Sequence, residues 1–564
     1  MNGRLAATLT LAACAHGSRG PSPSNDFGRF VDDYWDAVFA FAPSRATSTG
    51  FHQYDEKLDD LSRGRIEQRI AELKQFLARL GALDRARFSF DEAIDAEALE
   101  NGIRGELLDL EVVRSWERNP MDYAVLPAGA INDLMKRYFA PGPVRLRSVI
   151  ARMDQIPRLY AAARENMSNP PKDFVDLALR FARGSVGFFE GSVGQWARGA
   201  AAGDTALLGQ FERANAATAQ AARSFSEWLE KDLLPRSHGN YALGKTTFVA
   251  LLRYTEMIDL PLPELLQRGE AQLAKDQAAF IETARRIDPA RPAAEVYASL
   301  ANDHPRADDL IPSVARSVED ARKFVVEKDL VTVPSEVRVQ AEETPAYARI
   351  GAGASMDTPG AYETKATEAF YYVNPVERDW DAQHQEEHLR AYSTYVMAMT
   401  NVHEAYPGHY LQFLYARGFP TKTRKLFLSG SNVEGWAHYA EQMMVDQGFG
   451  NGDPRMRLAQ LAEALLRDCR YVVGIKLHTE GWTVEQGQRL FVEQCFQEPA
   501  NAYEESRRGA YNPTYLYYTF GKLEIQRMAS EYMLQKHATL KQFHDAFVSQ
   551  GFLALPLVRR ILFR

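Results

Sequence analysis

His403, Glu404 and His409, in the stretch "TNVHEAYPGHYLQ" (400–412), are the residue types from which a metal-dependent hydrolase is built. Two imidazoles offer neutral nitrogens to a divalent ion, and a carboxylate directly after the first can take a proton from an attacking water. In the usual zinc-peptidase helix the two histidines are four residues apart and share a face. Here they are six apart, a step that in a regular helix leaves them about 120° apart in azimuth and about 9 Å apart along the axis. Pro407 and Gly408 lie between them. Pro407 has no amide hydrogen and its ring clashes with the carbonyl of His403, four residues back, so the helix must distort. With Gly408 free to take an unusual backbone angle, a two-residue bulge brings His409 back beside His403.

A metal site needs a third ligand, and Glu434 in "SGSNVEGWAHYAEQMM" is the candidate. Two histidines and one glutamate leave the fourth position of a zinc ion open, the arrangement of a catalytic rather than a structural site. One zinc ion per chain is expected, with Glu404 as the general base that passes the water proton to the leaving amine. His438, four residues after Glu434, competes for the second imidazole position, since an i, i+4 pair faces one way on an undistorted helix. The neighbours favour His409: a proline and a glycine inside a helical run cost about 3 and about 1 kcal/mol unless the distortion is useful. His438 is then expected to support the ligands rather than to bind.

Hydrolysis of a carbonyl compound also needs a donor for the developing oxyanion. Tyr515 and Tyr518 in "NPTYLYYTFGK" are candidates, and so is His478; the competing reading of each tyrosine is a core aromatic with a satisfied hydroxyl. Arg507, Arg508, Lys522 and Arg527 are the cations available to a substrate carboxylate, although each taken singly also fits a solvated basic face.

The elements that must position these residues read as mostly helical. Ser62 can cap a helix in which Ile66, Ile70, Leu73, Leu77 and Leu80 share one stripe, with Gly81 near its end. Apolar residues recur at the same spacing over Asp91–Val113, Asp204–Leu234 and Pro263–Ile287. Between "LVTVPSEVRVQAEETPAYARI" and "AFYYVNP", Val331, Val333, Val337, Val339, Tyr371 and Val373 predict a few short strands before the His403 helix. An exposed strand edge there could hold an extended peptide through backbone hydrogen bonds, or the strands could be a simple connecting hairpin.

The chain of 564 residues is 46% hydrophobic and 25% charged, enough for a large core or two packed lobes. A net charge of −8 without a concentrated basic face excludes a nucleic-acid binder and leaves small molecules or peptides as partners. Arg4, a short apolar run and Leu11-Ala12-Ala13-Cys14 resemble a bacterial lipobox, which implies cleavage before Cys14, a lipid on that cysteine, a periplasmic body and membrane attachment through the anchor alone. Cys469 and Cys495 are too few for a disulfide framework; an exported chain permits their pairing, and buried free thiols are equally compatible.

The blocks "VHEAYPGHYLQ", "EGWAHYAEQMM" and "NPTYLYYTFGKLEIQRM" resemble the signatures of the DUF885 family, predicted bacterial zinc metallopeptidases related to the gluzincin clan. "PSRATSTGFHQYDEKLDDLS" resembles the opening block of that family, so the likeness runs from about Asp26 to the C-terminus. The resemblance implies a mainly α, zincin-type fold of the oligopeptidase and angiotensin-converting-enzyme kind, with a deep cleft and a small β-sheet beside the active-site helix. It also implies His403, His409 and Glu434 as zinc ligands and Glu404 as base. Two positions depart from the pattern. His438 stands where such enzymes often place a carboxylate, a role open to Glu441 one turn on; Gly474 stands where many members carry an aspartate, while Arg470 and His478 match. The expected organisation is a signal and tether over 1–25, an N-terminal helical lobe over 26–250 and a catalytic lobe over 251–564. The expected function is hydrolysis of oligopeptides. A non-catalytic peptide-binding lipoprotein and a zinc hydrolase of a non-peptide amide or ester are the alternatives.

Overall fold

The apolar stripes fold as helices that bury them. Ser62 stands at the N-cap of helix Arg63–Ala82, whose Ile66, Leu73 and Leu80 are buried on one face. Helix Phe90–Leu108 starts from a capping box, in which the Ser89 side chain accepts from Glu92 N–H and the Glu92 side chain accepts from Ser89 N–H. Helices Thr205–Trp228 and Leu262–Ile287 cover the other two periodic segments. Each fully buried leucine, isoleucine or phenylalanine contributes about 1.5–3 kcal/mol of transfer free energy, which drives the packing of these helices.

The computed structural model describes residues 25–345, 348–349 and 353–564. The lipobox and Cys14 lie outside them. The described chain is mainly helical with a small three-stranded sheet. Its strands are β1 (Val339–Glu343), β2 (Ala354–Asp357) and β3 (Ala369–Val373), in the order β1-β3-β2. β1 runs parallel to β3, with Val339 opposite Ala369, and β2 runs antiparallel to β3, with Met356 opposite Tyr371. β3 is central and buried, which fits its sequence Ala-Phe-Tyr-Tyr-Val. Val331, Val333 and Val337, expected in strands, precede β1 and lie outside the sheet. Pro334 interrupts that valine-rich run and supplies no ladder donor.

One core gathers residues of the N-terminal half, from Tyr123 and Leu146 to Phe225 and Leu233. A larger core joins Phe280, Val318, Tyr371, Val402, Trp436, Leu465 and Val558 around the His403 helix. The expected division between 250 and 251 falls inside helix Lys245–Glu256, whose Phe248 and Leu252 pack with Tyr471 and Ile475 of the C-terminal part. Cys469 and Cys495 form a disulfide, tying helix Pro454–Thr479 to helix Val484–Cys495. Among the described residues no helix is long and apolar enough to cross a membrane.

Candidate metal centre

His403 and Glu404 are the last two residues of helix Thr394–Glu404, and His409 is the first residue of the next helix, His409–Leu414. The helix is not bulged but broken. Ala405 leaves helical geometry at φ −112° and ψ −80°, the Tyr406–Pro407 peptide is cis, and Gly408 donates its N–H to Val402 O at 3.0 Å. The chain folds back so tightly that a Cβ on Gly408 would lie 1.8 Å from His403 O. Only glycine fits there. Trp436 fastens the break to the third site helix by donating its indole N–H to Pro407 O at 2.8 Å.

That third helix, Gly430–Asp446, carries Glu434 in its second turn. Its N-terminus is capped from outside: Glu256 accepts from Ser429 Oγ at 2.7 Å, Gly430 N at 3.0 Å and Ser431 N at 2.8 Å. It crosses helix Tyr517–Lys536 at a pair of glycines, where a Cβ on Gly435 would lie 2.5 Å from Gly521 Cα. This close crossing sets Tyr518 near the histidines, with its ring 6.2 Å from that of His403.

Together these elements converge three ligand atoms. His403 Nε2 and His409 Nε2 are each 3.3 Å from Glu434 Oε2, and the two imidazole rings are 4.8 Å apart and nearly perpendicular. Glu434 Oε2 is buried yet makes no hydrogen bond of acceptable geometry. A tetrahedral ion with ligand bonds of about 2.0 Å has its ligand atoms about 3.3 Å apart, so the spacing and the orphaned oxygen both fit a zinc-sized cation. Among the described residues this is the only group of three such side chains so arranged.

The surroundings hold the ligands in register. His403 Nδ1 donates to Glu441 Oε1 at 2.7 Å, which turns Nε2 toward Glu434. Burial disfavours the charged form of His403, but the Glu434 and Glu441 carboxylates beside it outweigh this and push the imidazole up to about 9. Burial likewise works against the Glu434 carboxylate, yet His409 and His403 hold it well below the usual range. A bound cation replaces the proton in such a constellation, because the same carboxylates that favour imidazolium favour a metal. Arg467, 3.2 Å from Glu441, keeps that buried carboxylate ionised.

His438 is not brought to His403. It is fully buried, with Nδ1 3.4 Å from Glu441 Oε2, and burial together with the charge of Lys522 lowers it to about 3. Glu404 is not one of the three converging side chains: its Oε2 accepts from the backbone N–H of Met356 in β2 at 3.1 Å, so the sheet holds the carboxylate. Ser355 and Asp357, on either side of Met356, line a polar cavity of about 300 Å³ together with Asn132, Lys136 and Tyr372.

Tyr518 Oη accepts from Arg508 Nη2 at 3.0 Å, and its ring is flanked by Arg467 and Arg470. Tyr515 has a different place. It is fully buried, its ring fills the space left by Gly474, and its hydroxyl meets Glu505 O at 3.5 Å. A side chain at 474 would collide with it, which explains why this chain carries glycine there. His478 is also a packing residue: its Nε2 meets Gly509 O at 2.8 Å, its ring stacks on Phe248, and burial lowers it to about 4. It lies about 16 Å further along its helix than Arg467. Tyr515 and His478 are therefore not brought to the three ligands. Arg507 pairs with Asp173 and Asp176, Lys522 is buried 3.8 Å from Asp276, and Arg527 pairs with Glu524 on the surface. Sequence reading missed Met356, which acts through its backbone, and Arg467, whose i, i+3 spacing from Arg470 was the available signal.

The sequence matches the family described as bacterial protein of unknown function, DUF885, over residues 43–562. The chain belongs to the DUF885 family. Among solved structures it resembles a candidate lipoprotein of unknown function from Shewanella oneidensis, with 26% identity, a TM-score of 0.77, and coverage of 95% of this chain and 100% of that one. A candidate lipoprotein from Colwellia psychrerythraea has the same fold at 17% identity and a TM-score of 0.79, covering 96% of this chain and 99% of that one. No curated protein matches the sequence.

Proposed function

We propose that this DUF885 member is a zinc-dependent peptidase of zincin type, with His403, His409 and Glu434 as ligands. The observation that carries this reading is the convergence of two Nε2 atoms on an orphaned Glu434 oxygen at 3.3 Å, with Glu404 one residue from the first histidine. Zinc held there supplies Lewis acidity, polarising a substrate carbonyl and making water a stronger acid.

The chain's own residues divide the remaining work. Glu404 takes the proton of the attacking water through the oxygen that Met356 N–H leaves free, and returns it to the departing amine. Tyr518 accepts from Arg508, so its own hydrogen is free for the oxyanion of the attacked carbonyl. Edge strand β2, which touches Glu404, offers backbone groups to an extended peptide. The intact base argues against a protein that only holds peptides.

The test is metal analysis of protein purified without added metal, joined to hydrolysis of a mixed peptide library with and without chelator. About one zinc per chain and chelator-sensitive cleavage are expected. Glu404→Gln should keep the metal and lose on the order of 10²–10⁴ in turnover. Unchanged turnover in that variant, or cleavage only of non-peptide amides or esters, would overturn the reading.

An exported, lipid-anchored location is proposed on two supports: the candidate lipoprotein from Shewanella oneidensis that aligns over 95% of this chain, and the Cys469–Cys495 disulfide, which suits an oxidising compartment. Cys14→Ser should release the protein from membranes or block its processing. Mature wild-type protein that still begins at Met1 and carries no lipid sinks this proposal.

A further inference from the structure

Arg508, in helix Pro499–Tyr511, is a cation without a carboxylate. Its guanidinium donates to Tyr518 Oη at 3.0 Å and lies 5.9 Å from the centre of the Tyr518 ring. Arg467 and Arg470 lie against the same ring, at 5.9 and 5.1 Å, but each has its own acids. Arg467 pairs with Glu441 and Glu463. Arg470 holds Glu505 by two bonds of 2.7 and 2.8 Å, which occupies both oxygens of the acid that also faces Arg508. Among the described residues no carboxylate forms an ion pair with Arg508. Three arginines thus crowd one tyrosine, and one of them lacks an anion.

Arg508 is only partly buried and the Glu505 charge favours its guanidinium, so the cation is stable as it stands and, with no carboxylate bonded to it, is free to take an anion from outside the chain. Tyr518 also lies beside the ligands: its ring is 6.2 Å from that of His403, and the Glu434 charge acts on its phenol. A substrate whose carbonyl meets Tyr518 therefore has its next groups within reach of Arg508. We propose that Arg508 receives a carboxylate of the substrate close to the scissile bond, the free C-terminal carboxylate of a short peptide, which makes the protein an exopeptidase acting from the carboxyl end. The fork of the guanidinium suits a planar carboxylate. This inference rests on the peptidase reading and names its substrate class.

Binding by the zinc-loaded Glu404→Gln protein separates the inference from catalysis. Calorimetry would compare a short peptide with a free C-terminus, its C-terminal amide, and the amide ending in glutamate. The acid is expected to bind tighter than the amide by roughly tenfold or more, as a charge-assisted pair does. Arg508→Gln should erase that preference, and Arg508→Lys, which keeps the charge, should restore part of it. If Arg508 only positioned Tyr518, acid and amide would weaken together and their ratio would not move. Equal affinity in the parent protein, no binding of either, or a preference that survives in Arg508→Gln overturns the proposal. A glutamate-ending amide that binds as tightly as the acid would overturn the terminal carboxylate and assign Arg508 to an acidic side chain. The peptidase reading fails separately, by absence of chelator-sensitive hydrolysis in the wild type.

Discussion

At the scale of single residues, His409 and His438 differ in what each ring touches. His409 presents Nε2 to Glu434, whereas His438 contacts Glu441, which in turn orients His403. Loss of a direct ligand and loss of a support two bonds away have different sizes. His409→Ala is expected to abolish tight zinc binding, and His438→Ala to weaken it by about 10–100-fold. Competition with a chelator of known affinity measures both. The reverse order of severity would make His438 the ligand.

At the scale of elements, the centre depends on a helix that stops and restarts. Glu404 must end one helix and His409 must begin the next with the chain folded back between them, and Gly408 allows this because a side chain there would meet His403 O. Gly408→Ala should therefore drop zinc content well below one per chain and destabilise the fold by about 3 kcal/mol or more, since backbone must move to relieve the overlap. Chemical denaturation with metal analysis checks this, and a stable variant with full zinc content refutes it. The helix bearing Glu434 depends on its neighbour too. Its N-cap residue Ser429 supplies no side-chain acceptor, and Glu256 satisfies the free donors instead.

At the scale of the molecule, the N-terminal region is fastened to the sheet by His52. Its Nδ1 meets Asp55 at 3.0 Å and its Nε2 meets Glu363 at 2.8 Å, in the connection between β2 and β3, while the ring stacks on Phe139. Both nitrogens face carboxylates, so both carry protons. Burial opposes that charge, but the bonds to Asp55 and Glu363 outweigh it and raise His52 above 6.5. Stability from His52 is therefore fully present below the unfolded pKa and is lost as pH rises through the folded one. Glu363 is shifted the other way: burial opposes its charge, the Lys365 N–H and His52 outweigh it, and it falls below 4.5, so its share is present above that value and lost in acid. The gap in melting temperature between wild type and His52→Gln should be widest near about pH 5.5 and close in alkali. A gap of constant width up to about pH 9 would exclude the charged bridge.

Local pattern was enough for part of this protein. The apolar stripes around Ile66, Leu73 and Leu80 have one face and one period, so burial makes them helices in any context that covers that face. The meeting of His403, His409 and Glu434 was legible because a set of metal-ligand residue types is restricted and because Pro407-Gly408 forces a distortion between the histidines, although the chain breaks there where a bulge was expected. Spacing along the chain predicts neighbours within an element; it does not say which elements meet. Tyr515 and Tyr518 are three residues apart on chemically similar ground, yet the Gly435–Gly521 crossing carries Tyr518 to His403 and the room above Gly474 takes Tyr515 into the core. The hold of Met356 on Glu404, the pairing of Cys469 with Cys495, and the unpaired charge of Arg508 likewise follow from helices and strands far apart in sequence. Their free energies come from burial and from compensation of charge between elements, and no single segment carries those quantities.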